Sequence, residues 1–227
     1  MKPRVRNLII AAAALLGLGA GFALWPRDAP YQDAASIAET QSFQDPALIA
    51  RAWLLPVAAA YGESSYEFQS NPSFCGPTSV ANLLRSEGQA TDQRAVLAGS
   101  AIKPLFGILP RGLTLDQEAD LLRHATGRRV TVLRDISLAA FRAELQRSND
   151  PGVRYIVNFH RGPLFAEGHG HFSPILGYLA DADLVFVGDV NADYRPFLVP
   201  SERLHAAMDT LDADSGRKRG LLRLEPH

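Results

Sequence analysis

Helix signals crowd the first two thirds of this chain and strand signals the last third, and that order constrains the fold most. Asp45-Pro46 reads as an N-cap followed by proline at the first helical position, opening a helix through Ala60 that Pro56 kinks or divides. Gly62 to Phe74 is a loop, with Asn71-Pro72 as its turn signal. A second helix is expected from Cys75 to Glu87, with Val80, Ala81, Leu83 and Leu84 as its buried stripe and Gly88 as its stop. Thr114 and Gln117 have capping-box spacing and open a helix ending near Gly127. Arg129 to Arg134 alternates as a strand, and Ser137 caps a helix reaching about Arg147. Beyond it, Tyr155 to His160, Phe172 to Leu179, Leu184 to Val190 and Gly220 to Leu224 read as strands, with a helix from Ser201 to Thr210 capped by Ser201. Helices followed by antiparallel strands predict an α+β fold rather than βαβ alternation.

This architecture must stand without staples. The 227 residues include one cysteine, so neither an intramolecular disulfide nor a cysteine-rich zinc site is available. At 47% hydrophobic and 21% charged, the chain has the apolar content to build a core instead. A net charge of −1 excludes a basic nucleic-acid binder. Charge is unevenly placed, however. Lys2, Arg4 and Arg6 precede an uncharged run from Leu8 to Trp25, the pattern of a secretory signal or an uncleaved membrane anchor. Residues 1–25 are therefore expected to be a signal peptide or N-terminal anchor, 26–43 a linker and 44–227 a single catalytic domain. The expected location is periplasmic or otherwise extracytoplasmic, with membrane contact only through that anchor. Residues 1–30 hold four basic and one acidic residue, which leaves a mildly acidic body of 19 basic and 23 acidic residues.

The lone cysteine is the candidate nucleophile. A thiol attacks as its thiolate, and a helix N-terminus favours that form through unpaired N–H groups and a positive dipole end. Cys75 stands at such a start, with Gly76 beside it allowing close backbone approach. Single cysteines are commonly small buried apolar residues, yet polar loop residues flank this one. A thiolate needs a histidine to take its proton and a third group to orient that histidine. His171 and Asp189 are the candidates. A hairpin turning between Asp181 and Ala182 pairs residues whose numbers add to about 363, which sets these two nearly opposite at about 5 Å on adjacent strands. His169 shares strand parity with His171, so both imidazoles with Asp189 could instead form a metal site. An acyl intermediate also needs an oxyanion donor, and Gln69, six residues before the cysteine, is available beside the Cys75 main-chain N–H.

Taken together these segments resemble the phytochelatin synthases. Gln69-Ser70-Asn71-Pro72-Ser73-Phe74-Cys75-Gly76 is similar to their nucleophile segment, and Asn158-Phe159-His160-Arg161-Gly162 with Gly170-His171-Phe172-Ser173-Pro174-Ile175 to their histidine segment. Gly188-Asp189-Val190, with Tyr194-Arg195-Pro196, resembles the aspartate segment, and Asp212 through Arg219-Gly220 the end of the catalytic domain. The resemblance implies a papain-like fold, with the nucleophile at a helix start and an antiparallel sheet carrying histidine and aspartate. It implies transfer of the γ-glutamylcysteinyl group of glutathione with release of glycine. Cys75 would be the nucleophile, His171 the acid and base, Asp189 the orienting acid and Gln69 the oxyanion donor. Arg161, Gly170, Asp212 and Arg219 would belong to the substrate site, where an arginine and an aspartate suit the free α-carboxylate and α-amine of a γ-glutamyl group. No tightly bound cofactor is implied, and cadmium or zinc would enter as the metal-thiolate form of the substrate.

The sequence departs from the family in Pro77-Thr78-Ser79, where small and hydrophobic residues are usual, and in carrying no cysteine-rich stretch. It reads as the short prokaryotic type, in which hydrolysis and transpeptidation are both open. Two other readings stand beside it. One is a papain-like endopeptidase of the leader-processing type, against which Arg161 and Asp212 argue. The other is a non-catalytic extracytoplasmic metal binder using His169, His171 and Asp189.

Overall fold

Pro56 divides the first helical run, because its ring cannot continue a preceding helix. The structure, a computed structural model, describes residues 35–226, so the expected signal or anchor at 1–25 lies outside the described residues. Helix α1 spans Pro46–Trp53, with the Asp45 carboxylate accepting from Leu48 N, and α2 spans Pro56–Tyr61. A loop then leads to α3, Cys75–Ser86, and to α4, Leu115–Thr126. Thr114 Oγ1 accepts from Gln117 N, and the Gln117 side chain returns a bond from Thr114 N, both halves of the capping box. Gly127 closes the helix in the left-handed region at φ 66°. Removing this cap by Thr114→Ala is expected to cost about 1 kcal/mol, read as a lower urea midpoint at unchanged m-value.

Six strands make one antiparallel sheet. They are β1 (Val130–Leu133), β2 (Arg154–His160), β3 (Gly170–Leu179), β4 (Leu184–Val187), β5 (Phe197–Pro200) and, last in the chain, β8 (Gly220–Leu224), in the order β1-β8-β2-β3-β4-β5. The short strands β6 (Leu211–Asp212) and β7 (Arg217–Lys218) form a separate hairpin just before β8. Helices α5 (Leu138–Arg147), α6 (Gly162–Phe165) and α7 (Ser201–Met208) complete the fold.

The sheet is buried on both faces. Phe172, Leu176, Phe186, Leu198 and Leu222 pack with α1 to α4, while Val157, Phe159, Ile175, Val185, Val199 and Leu221 pack with α5, α6 and α7. The first of these layers seats α3 directly on β3. Near their turn, β3 and β4 pair as Tyr178↔Val185 and Leu179↔Leu184, the expected hairpin register. Between Ile175 and Gly177 the register shifts by one at a bulge. The inward and outward parity of β3 changes there. Ile175 and Tyr178 face one layer, Leu176 and Leu179 the other.

Three local expectations are corrected. Strand β4 stops at Val187 rather than Val190, because beyond it the Gly188 and Val190 carbonyls accept from the Tyr66 hydroxyl and Gln69 N of the loop before α3 instead of from a strand. Pro200, not Ser201, is the N-cap of α7, and the Ser201 hydroxyl is occupied as acceptor for Arg142 Nε. Part of the expected linker also packs into the body. Ile37 is fully buried, and the Phe43 ring stacks on Phe197 at 5.2 Å and meets Phe165 edge-on at 5.8 Å.

Candidate active site

Cys75 is the first residue of α3 and is buried. The helix begins here because Pro77 supplies a preset φ in its first turn, where a missing N–H costs nothing. The Phe172 and Gly76 main-chain N–H groups donate to its sulfur. Burial nevertheless dominates and pushes the Cys75 thiol up to about 11.

The Phe172 N–H ties the sulfur to β3 at the residue after His171. His171 is buried, its ring edge-on to Phe159 at 5.6 Å. Nε2 lies 3.0 Å from Asp189 Oδ1. Burial first, and then the nearby Arg161 charge, hold His171 below its ordinary value, against the opposing pull of Asp189.

Asp189 is completely buried and fully engaged. Its Oδ1 accepts from Asn191 N at 2.8 Å as well as facing His171, and Arg161 Nη2 donates to both oxygens at 2.9 and 2.7 Å. Burial alone would raise its pKa, but the charges of His171 and Arg161 hold the carboxyl below the usual range. The Arg161 guanidinium lies 3.8 Å from the Tyr194 ring centroid, so the ring fixes the plane of the arginine.

Gln69 N donates to Val190 O at 2.8 Å, which hangs the glutamine next to Asp189, and its Oε1 is buried without a hydrogen-bond partner. Gly170, Asp212 and Arg219 converge at the start of β3. Arg219 donates to Leu211 O and Thr210 Oγ1, with Asp212 at 3.8 Å. A Cβ on Gly170 would meet Arg219 Nη2 at 2.8 Å, so only glycine leaves the guanidinium this place. His169 is exposed, and among the described residues no three His, Cys, Asp or Glu side chains gather as a metal group. A cavity of about 710 Å³ between Gly99–Lys103, Leu109–Leu113 and α4 contains none of these residues.

The phytochelatin synthase family profile matches residues 35–221. The chain belongs to that family. It is 32% identical over 173 residues to glutathione γ-glutamylcysteinyltransferase 1 of Triticum aestivum, covering 70% of this chain and 34% of the wheat protein. It is 31% identical to transferase 2 of Arabidopsis thaliana, covering 72% and 39% respectively. The chain thus spans a little over a third of the length of these curated relatives. Among solved structures, a C39-like peptidase from Bacillus anthracis matches with a TM-score of 0.51 at 14% identity, over 71% of this chain and 94% of that one. That likeness carries the α+β, papain-like fold of this phytochelatin synthase family member and nothing further.

Two residues of the site escaped sequence reasoning. Tyr194 carries no local signal of its own, and its contact with Arg161 depends on the loop after β4. Glu118 left a clearer signal. It falls on the same helical face as Leu115, Ala119 and Leu122, where an acid has no ordinary place.

Proposed function

We propose that this protein is a thiol acyltransferase or hydrolase that cleaves glutathione at its Cys-Gly bond through a γ-glutamylcysteinyl-enzyme. The observation that carries the reading is the buried Asp189–His171 pair set against a cysteine at a helix start, in a chain of this family. His171 Nδ1 takes the Cys75 proton and the sulfur attacks the cysteinyl carbonyl of glutathione. The resulting oxyanion meets the Cys75 N–H, one of the first-turn donors without an intrahelical partner, and the Gln69 side-chain amide. His171 then passes the proton to the glycine nitrogen, the C–N bond breaks, glycine leaves and a thioester remains. Water, or the α-amine of a second glutathione, attacks that thioester with His171 as base, returning the thiol and giving γ-glutamylcysteine or a longer γ-Glu-Cys peptide.

Substrate choice rests on Arg219 and Asp212 beside Gly170, which offer one positive and one negative group to the zwitterionic end of a γ-glutamyl residue. A leader-processing endopeptidase would have no use for that pair. Arg161, by contrast, serves the reaction by holding Asp189. Cadmium or zinc enters as a bis-thiolate with the substrate, linking the activity to metal detoxification. The basic start and the uncharged run from Leu8 to Trp25 support a reaction outside the cytoplasm.

Incubation with glutathione, followed by mass spectrometry of glycine and γ-Glu-Cys products, tests the proposal. Glycine must appear, and the ratio of products separates hydrolysis from transfer. Absence of glycine at every pH from about 6 to 9, the range a Cys-His pair works in, overturns it. Arg219→Ala is expected to raise KM for glutathione about tenfold or more at little changed kcat, as for loss of a charge-assisted contact made equally in ground and transition states.

A further inference from the structure

One titratable side chain at the nucleophile has no part in the chemistry above. Glu118, the fourth residue of α4, is 0% exposed, and neither of its carboxyl oxygens has a hydrogen-bond partner. Its place is fixed by packing. A Cβ built on Gly76 would collide with Glu118 Oε2 and lie 3.1 Å from Leu113 Cδ1. The carboxyl therefore occupies the space the glycine leaves open, one residue from the reactive sulfur.

An isolated carboxylate in such surroundings costs far more than the neutral acid. Burial accordingly pushes Glu118 up to about 8. Its charge acts on the nucleophile, raising the thiol pKa and so opposing the thiolate. The other charged or titratable groups of the elements packed around it are committed elsewhere. On α4, Asp116 faces Arg134 and Arg217, Asp120 faces Arg123, and His124 Nε2 meets Ala98 O. Arg85 of α3 pairs with Glu67, Arg223 of β8 with Glu144 and Glu225, and β1 carries no charge.

We infer that Glu118 is a positioning residue for the nucleophile: as a neutral acid beneath the Cys75–Gly76 step it leaves proton transfer from Cys75 to His171 unopposed, and once ionised it suppresses the thiolate. The proton it loses goes to solvent, and no other bond changes. The enzyme thereby carries its own alkaline limit. This rests on Cys75 being the nucleophile, as proposed above, but not on the identity of the substrate.

The single cysteine makes a direct test available. Full-length wild type and Glu118→Gln are treated with iodoacetamide between pH 6 and 10, and alkylation of Cys75 is timed by mass spectrometry. The two rates are expected to agree within about twofold at pH 6.5, where Glu118 is neutral, and to differ by about tenfold at pH 9 in favour of glutamine, the order expected for a unit charge lifted from nearby. Superimposable profiles, or an offset equal at every pH, overturn the inference. A second measurement needs no variant. In wild type labelled with carbon-13 at the glutamate carboxyls, one resonance should titrate near pH 8, and no glutamate titrating above about pH 6 also overturns it. If alkylation behaves as expected but glutathione yields no glycine, the substrate assignment fails alone. If glycine is released and the profiles coincide, the role of Glu118 fails alone.

Discussion

Cys75→Ala is expected to lower glycine release from glutathione by about 10⁴- to 10⁶-fold, the range found when a catalytic triad loses its nucleophile. The chain has no second thiol to substitute for it. The fold should survive, because the change removes one sulfur from a small buried side chain. The measurement is therefore twofold: a melting temperature close to wild type, and a progress curve at the uncatalysed rate. Residual turnover above about 1% of wild type would mean that water attacks the substrate directly and that no thioester forms.

Asp189→Ala should do more damage than a triad argument alone suggests. His171 loses the acceptor that fixes its ring, which by analogy with other triads costs about 10³- to 10⁴-fold in kcat. Arg161 meanwhile becomes a buried cation without its carboxylate, and breaking such a pair costs about 3–5 kcal/mol. The sign with pH follows from the depressed Asp189 pKa. Its stabilisation is complete above the ordinary carboxylate value and is lost only as pH falls through the lower, folded value. Adding Arg161→Met separates the two effects. The double variant should regain much of the stability, measured by urea unfolding at pH 7, and none of the activity. A single variant as stable as wild type would show that Arg161 is not held there by Asp189.

Much of this arrangement could be read from residues whose meaning is local. Asp45-Pro46, the Thr114–Gln117 box and Ser137 mark helix starts because capping bonds span three or four residues. The β3–β4 register is legible from its turn, and it sets His171 and Asp189 near each other. Features set by distant partners were not legible. The loop before α3 ends β4 early by taking the Gly188 and Val190 carbonyls, and nothing in the local alternation of Leu184 to Val190 announces it. Strand β5 is four residues ending in proline, and its pairing with β4 decides it. Ile37 and Phe43 lie in a polar stretch whose ordering comes from Phe165 and Phe197, more than 120 residues away. Arg161 shows the same limit within the site. Its bonds to Asp189 and its stacking on Tyr194 join it to chain well beyond its own segment, which no local pattern announces.

The seating of α3 on β3 has a consequence for how the enzyme fails. Cys75 belongs to the helical layer, while His171 and Asp189 are locked together on the sheet side, so on the proposed chemistry reactivity exists only at their seam. A small sliding of the helical layer, leaving every helix and strand intact, would part sulfur from imidazole. Inactivation on warming should then precede loss of secondary structure, and catalysis becomes the most sensitive gauge of how firmly the two halves are docked.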